Sequence, residues 1–342
     1  MTIEQIKDKL KSKEYDFLRT DKNLGNNIII LTLGGSHAYG TNNEGSDLDI
    51  RGCALNSKMQ ILTNEKFEQF VNNETDTTIY AFNKLVALLS NTNPNTIEML
   101  GNKPEHYFYV SPIGQELIDN AHLFLSKRAC HSFGGYANQR LYRLNQKAAH
   151  QMSQSELEKH ILKTLEFMQT DFTKKYTPYS EDSMKLYIDE AVQEGYDTEI
   201  FMDVKLHHYP LRDYCSMWNE LQNTVRQYGK IGKRNEKAIE HGKIAKHSMH
   251  LIRLYMMCLD ILEKERIITY REGEHDLLMD IRNGKYLDSN DQPIPEFFEM
   301  VNDYEKKLDY AKKNTNLPDN PDHKKINEFV ASVNERVVKG EI

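Results

Sequence analysis

NIIILTLGGSHAYGTNNEGSDLDIRG, residues 27–52, is the stretch that decides how this chain folds. Its opening run of β-branched residues and leucine is unbroken, the mark of a strand buried on both faces. GGSHAYG interrupts that run with glycines and reads as a tight turn. SDLDIRGCAL then alternates from Asp47 onward, with Leu48 and Ile50 on one side and Asp47 and Asp49 on the other, as a half-buried strand does. Residues i and i+2 of a strand lie roughly 6–7 Å apart, so the two carboxylates share a face and their oxygens can converge on Mg2+. Gly35 lets backbone approach a phosphate closely, the turn or helix start after it offers free N–H groups, and Ser36 adds a hydroxyl. A lone DxD is common in surface strands. Here it follows a buried strand, a Gly-Ser turn and a gap of ten residues, and that order is what singles it out.

Outward from this segment, residues 3–19 place Ile3, Ile6, Leu10 and Phe17 or Leu18 at helical spacing and predict an amphipathic helix. Residues 74–82, rich in threonine, isoleucine and tyrosine, predict a third strand, followed by a short helix over 84–90 and an NTNPN turn. From residue 111 on, helical signals dominate: Pro112 as a helix start, then helices over 134–151, 156–173, 183–194, 235–266 and 295–314. The segment 177–214, with Pro178, Gly195 and Pro210, reads as a possible insertion.

The chain has 342 residues, 39% hydrophobic and 28% charged, enough to bury a core and too apolar for a disordered protein. Four scattered cysteines without a CxxC pair and an N-terminus unlike a secretion signal fit a reducing cytoplasm. The longest apolar runs fall far short of the ~20 residues needed to cross a bilayer, which excludes a membrane-spanning protein. The net charge of −7 argues against a general nucleic-acid coat. Two stretches depart from it: residues 127–147 carry five basic residues and no acid, and residues 226–253 carry eight against two acids. A focused positive surface on an acidic body suits a phosphate-rich ligand; solvated helix faces are the plainer account of each stretch alone.

The order of strand, Gly-Ser, gap and D-hydrophobic-D-hydrophobic closely resembles the signature of the DNA polymerase β nucleotidyltransferase superfamily. The fuller string GSHAYGTNNEGSDLDIRG resembles more specifically the bacterial and phage family of nucleotidyltransferases associated with RNA repair. DTTIYAFNKLVALLSNTNPNTIEML (residues 76–100) is similar to that family's third-carboxylate strand, following helix and NPN-x-x-E turn. SFGGYANQ, KHSMHLIRL and LLMDIRNG resemble its later helical motifs. The resemblance implies an α+β fold: a small mixed-sheet catalytic domain over residues 1–111, then a mainly helical substrate- and nucleotide-binding domain over 112–342. It also implies that Gly35 and Ser36 hold a triphosphate, that Asp47, Asp49 and Asp76 are the catalytic and metal-binding acids, and that two Mg2+ ions, or Mn2+ in their place, serve as cofactor. Glu74 shares the strand parity of Asp76 and stays open as the third acid.

Further candidates for the nucleotide are Arg51, which could equally be a surface arginine, and Ser132, Tyr136 and Gln139, which fall with Arg140 on one helical face suited either to a base or to helix packing. Lys246, His247, His250 and Arg253 line one side of another helix, where they would meet triphosphate or RNA backbone. A zinc site using His247, His250 and His241 or Cys258 is the competing reading, without a recognised ligand spacing. Three functions follow: nucleotidyl transfer from an NTP to an RNA end, the same transfer to a small molecule or protein, or a nucleotide-binding module without catalysis.

Overall fold

The computed structural model describes residues 1–133, 137, 154–192, 198–239, 244–289 and 293–342. Strand β1 (Ile28–Leu33) is buried at every position, as its apolar run requires, because it lies between two neighbours inside a five-stranded sheet. The others are β2 (Ile50–Ala54), β3 (Gln69–Asn72), β4 (Thr77–Ala81) and β5 (Tyr107–Val110), in the order β3-β4-β2-β1-β5. β2 runs parallel to β4 and antiparallel to β1, and all other pairs are antiparallel, so the sheet is mixed. Register brings the end of β1 beside the start of β2, Leu33 opposite Ile50 and Thr32 opposite Arg51, and sets Ile50 opposite Thr77. The Gly-Ser turn, the DxD segment and the β3–β4 turn therefore meet at one end of the strands.

The observed fold is α+β, as expected, with several local differences. The strand begins at Ile50, so Asp47 and Asp49 lie on the segment leading into it. Residues 69–81 form a hairpin, and Glu74 and Asp76 occupy its turn, where strand parity does not apply. The first helix stops at Leu10, and a short 3-10 turn and a second helix (Phe17–Thr20) follow. The helix expected over 183–194 is instead a strand. β6 (Met184–Glu190) pairs antiparallel with β7 (Thr198–Val204), with Met184, Leu186 and Ile188 turned inward and Lys185, Tyr187 and Asp189 exposed, a period of two.

Compactness divides the chain into one unit of residues 1–139, 248–286 and 294–342 and another of 140–247 and 287–293. Helices far along the sequence thus pack with the sheet, which differs from a division at residues 111 and 112. In the first unit one face of the sheet and its helices enclose Ile30, Phe82, Leu89, Phe124, Cys258 and Ile261, and a second cluster gathers Ile6, Tyr15, Leu33, Tyr39, Leu48 and Ile50. The second unit has its own core of Ile161, Leu165, Phe172, Met184, Met217 and Leu221, built by helices Gln154–Lys175 and Leu211–Ile239 with the β6–β7 hairpin.

Candidate active site

Beyond β1 the backbone turns at Gly34 and enters a helix of one and a half turns, Gly35–Tyr39. Gly35 has φ +56°, and a Cβ built there would lie 1.8 Å from Oδ2 of Asp49, so the Asp49 carboxylate rests directly on the Gly35 backbone. No other residue type fits this seat. The Gly34 N–H donates to the Asp49 carbonyl at 2.9 Å and fixes the turn to the DxD segment. Ser36 is buried next to it.

Burial alternates over the DxD segment: Asp47 exposed, Leu48 buried, Asp49 half-buried, Ile50 buried. The two acids thus occupy the side opposite the core, which is the arrangement the sequence implies. Asp47 makes no side-chain hydrogen bond or ion pair among the described residues. Asp49 is different. The Arg51 guanidinium, 19% exposed, holds Asp49 Oδ1 at 2.9 Å and Asp76 Oδ1 at 3.4 Å, and donates to the Asp76 carbonyl at 2.6 Å. Asp76 sits in the β3–β4 turn with φ +44°, its side chain 54% exposed, and its carbonyl also accepts from the Ile50 N–H. Of the two candidates for third acid, the structure brings Asp76 into contact with Arg51, while Glu74 is exposed in the same turn.

Behind this rim lies a buried brace. The Tyr39 hydroxyl donates to Glu98 Oε2 at 2.6 Å, Arg253 donates to the same oxygen at 3.3 Å, and the Arg253 guanidinium stacks 3.5 Å over the Tyr39 ring. Thr269 donates its hydroxyl to the Glu98 carbonyl, and the His250 ring meets Tyr39 edge-on. Burial pushes the Tyr39 hydroxyl well above the ordinary tyrosine range. Arg253 is only 4% exposed, which corrects its expected place on a phosphate-facing side of the helix: its charge is spent on Glu98 and Tyr39. Glu98, the acid of the NPN-x-x-E turn, is the partner that sequence reasoning gave no role.

The remaining candidates separate. The division between the compact units falls within helix Ile244–Lys264, so Lys246 and His247 belong to the second and His250 and Arg253 to the first. Ser132 donates its hydroxyl to the Asn91 carbonyl at 2.7 Å, beside an Arg128–Asn91 bond, and so ties its helix to the preceding turn. Tyr136, Gln139 and Arg140 lie outside the described residues, as do His241 and the side chains of residues 226–243.

Hard carboxylate oxygens are the donors Mg2+ takes, and Gly35 leaves room for Asp49 where a Cβ would not. Among the described residues no three His, Cys, Asp or Glu side chains gather closely enough to hold a metal unaided, for zinc or for magnesium. Mg2+ ordinarily binds through one or two carboxylates and completes its shell with waters and substrate phosphates, so Asp47 and Asp49 fit it with the nucleotide as a further ligand.

The model of one protein family, described as the RNA repair pathway DNA polymerase beta family, matches residues 6–332. The chain belongs to that family. No curated protein and no solved structure matches it. As a polymerase β-type family member it carries the Gly-Ser turn and the paired acids at one end of the strands, and among its described residues no helix is long and apolar enough to cross a membrane.

Proposed function

We propose that this protein is a Mg2+-dependent nucleotidyltransferase that moves a nucleoside monophosphate from an NTP to an RNA end: the acceptor hydroxyl bonds to the α-phosphorus, the α–β phosphoanhydride breaks, and pyrophosphate leaves. The observation that carries this reading is the Asp49 carboxylate seated on the Gly35 backbone, with Asp47 open beside it and Asp76 drawn toward the same rim by Arg51. Two Mg2+ ions, or Mn2+ in their place, would neutralise triphosphate charge and acidify the attacking hydroxyl. Asp47 and Asp49 are the residues that would hold them. Asp76, the more exposed of the acids joined by Arg51, would accept the proton of the incoming hydroxyl. Arg51 balances the charge of Asp49 and Asp76 before a nucleotide arrives, and its fork suits a phosphate oxyanion afterwards. Gly35 and Ser36 supply backbone and hydroxyl to the triphosphate. RNA as acceptor is supported by the description of the family and by the basic stretches of the sequence.

The test is transfer of label from each α-32P NTP, with Mg2+, into RNA, protein or small-molecule fractions. Label in RNA that Asp47→Ala and Asp49→Ala abolish is the expected outcome. Label confined to protein or small molecules replaces the acceptor, and no label with retained NTP binding leaves a nucleotide-binding module.

A further inference from the structure

We propose that Arg282 is a positioning residue that acts through Ser46 to hold Asp47 in place; this rests on the reading of Asp47 as a ligand of the metal-bound nucleotide. Asp47 has no side-chain partner among the described residues, so its placement depends on its neighbours in the chain. Leu48 anchors it on one side by burial. On the other side stands Ser46. Its hydroxyl donates to Asn43 Oδ1 at 2.8 Å, accepts from the Asn43 N–H at 2.9 Å and accepts from Arg282 Nη2 at 3.0 Å, while its own N–H donates to the Asn43 carbonyl. Residues 43–46 thus form a closed turn, pinned from a helix 236 residues away by Arg282.

The state of Arg282 argues that this pin is functional. It forms no ion pair among the described residues, and Asp280 on its own helix is taken by Lys285. Its Nη1 is buried without a hydrogen-bond partner among the described residues. Burial lowers its affinity for the proton, a sign that the charge is held at some cost. Its place in the last turn of helix His275–Arg282 offsets part of that cost through the helix dipole. A half-buried cation spent on a neutral hydroxyl stabilises a fold poorly. It suits a device that fixes the residue next in the chain, because misplacing a reacting group by about 1 Å can cost ~10²-fold.

The experiment is a double-mutant cycle on the full chain, Arg282→Ala, Ser46→Ala and both together, reading Mn2+ affinity by electron paramagnetic resonance in the presence of ATP, with thermal midpoints in parallel. Each single variant is expected to weaken Mn2+ binding by about 10-fold, the scale on which outer partners of metal ligands act. The double variant should lose no more than the larger single, since both break one connection. Arg282→Lys, which keeps a donor, should recover part of the loss. Losses that multiply in the double variant would mean that Arg282 meets the ligand directly, and would overturn the proposal. So would unchanged Mn2+ affinity in Arg282→Ala while Asp47→Ala abolishes binding. If wild type and Asp47→Ala bind Mn2+ alike, the reading of Asp47 itself falls. Should Arg282→Ala fail to fold, Ser46→Ala and Arg282→Lys against wild type decide: both must weaken Mn2+ binding without a matching fall in melting temperature.

Discussion

Arg51 and Arg253 carry the same charge and were equal candidates to grip a phosphate, yet the fold uses them in opposite ways. Arg51 stands at the rim of the sheet, 19% exposed, between two acids of which one is half open to solvent. Arg253 lies under Tyr39, at 4% exposure, locked to a Glu98 that is itself buried. The first holds charge where a ligand can exchange for it; the second holds together the helix that carries Ser36. The candidate site is thus an open acidic rim built on a sealed ionic base.

The sharpest way to break this comparison is Arg253→Leu. It leaves Glu98 buried without its cation, and breaking a buried pair from one side costs about 3–5 kcal/mol. Urea unfolding should show a loss of that order, and a shift below about 1 kcal/mol would mean that the base is not ionic. Gly35→Ala comes next. A Cβ 1.8 Å from Asp49 Oδ2, at a φ of +56°, should cost ~1–3 kcal/mol and displace the carboxylate, so ATP-dependent Mn2+ binding should be lost; retained binding would remove Asp49 from the site. Arg51→Ala leaves the largely buried Asp49 carboxylate without its cation and should cost about 1–3 kcal/mol, less than the loss of Arg253, while lowering nucleotide affinity measured by calorimetry. A large loss of stability would make Arg51 a second Arg253.

The smallest expected effect is on pH. Burial, first of all, lowers the proton affinity of both His37 and His106. Their folded pKa values lie below the unfolded value of about 6.5, so the unfolded chain binds more protons in that window. Their contribution to stability is complete above pH ~6.5 and is lost as pH falls below it. Melting temperature should fall between pH 7.5 and 5, and His106→Gln should flatten the fall.

The candidate site was legible because its signal is linear: a buried strand, two glycines, a serine and two acids in one run of 26 residues. The hairpin of β6 and β7 was not, because its inward positions include Met184 and its outward ones Tyr187, which blurs a period of two. Arg253 was misplaced because charge and helical spacing say nothing of burial; the cause is Glu98, 155 residues earlier. Arg282 went unread for the same reason, since its partner Ser46 is brought to it only by tertiary packing. That Asp76 and not Glu74 meets Arg51 follows from the turn at residues 73–76, where neither residue sits on a strand face.

The most direct measurement is a crystal of the protein grown with Mn2+ and a non-hydrolysable ATP analogue, with the anomalous signal locating the metal. A peak is expected about 2.0–2.3 Å from oxygens of both Asp47 and Asp49, bridged to the triphosphate beside Ser36. A peak elsewhere, or Asp49 still bonded to Arg51 with the Asp47 carboxylate turned away from the nucleotide, would contradict it.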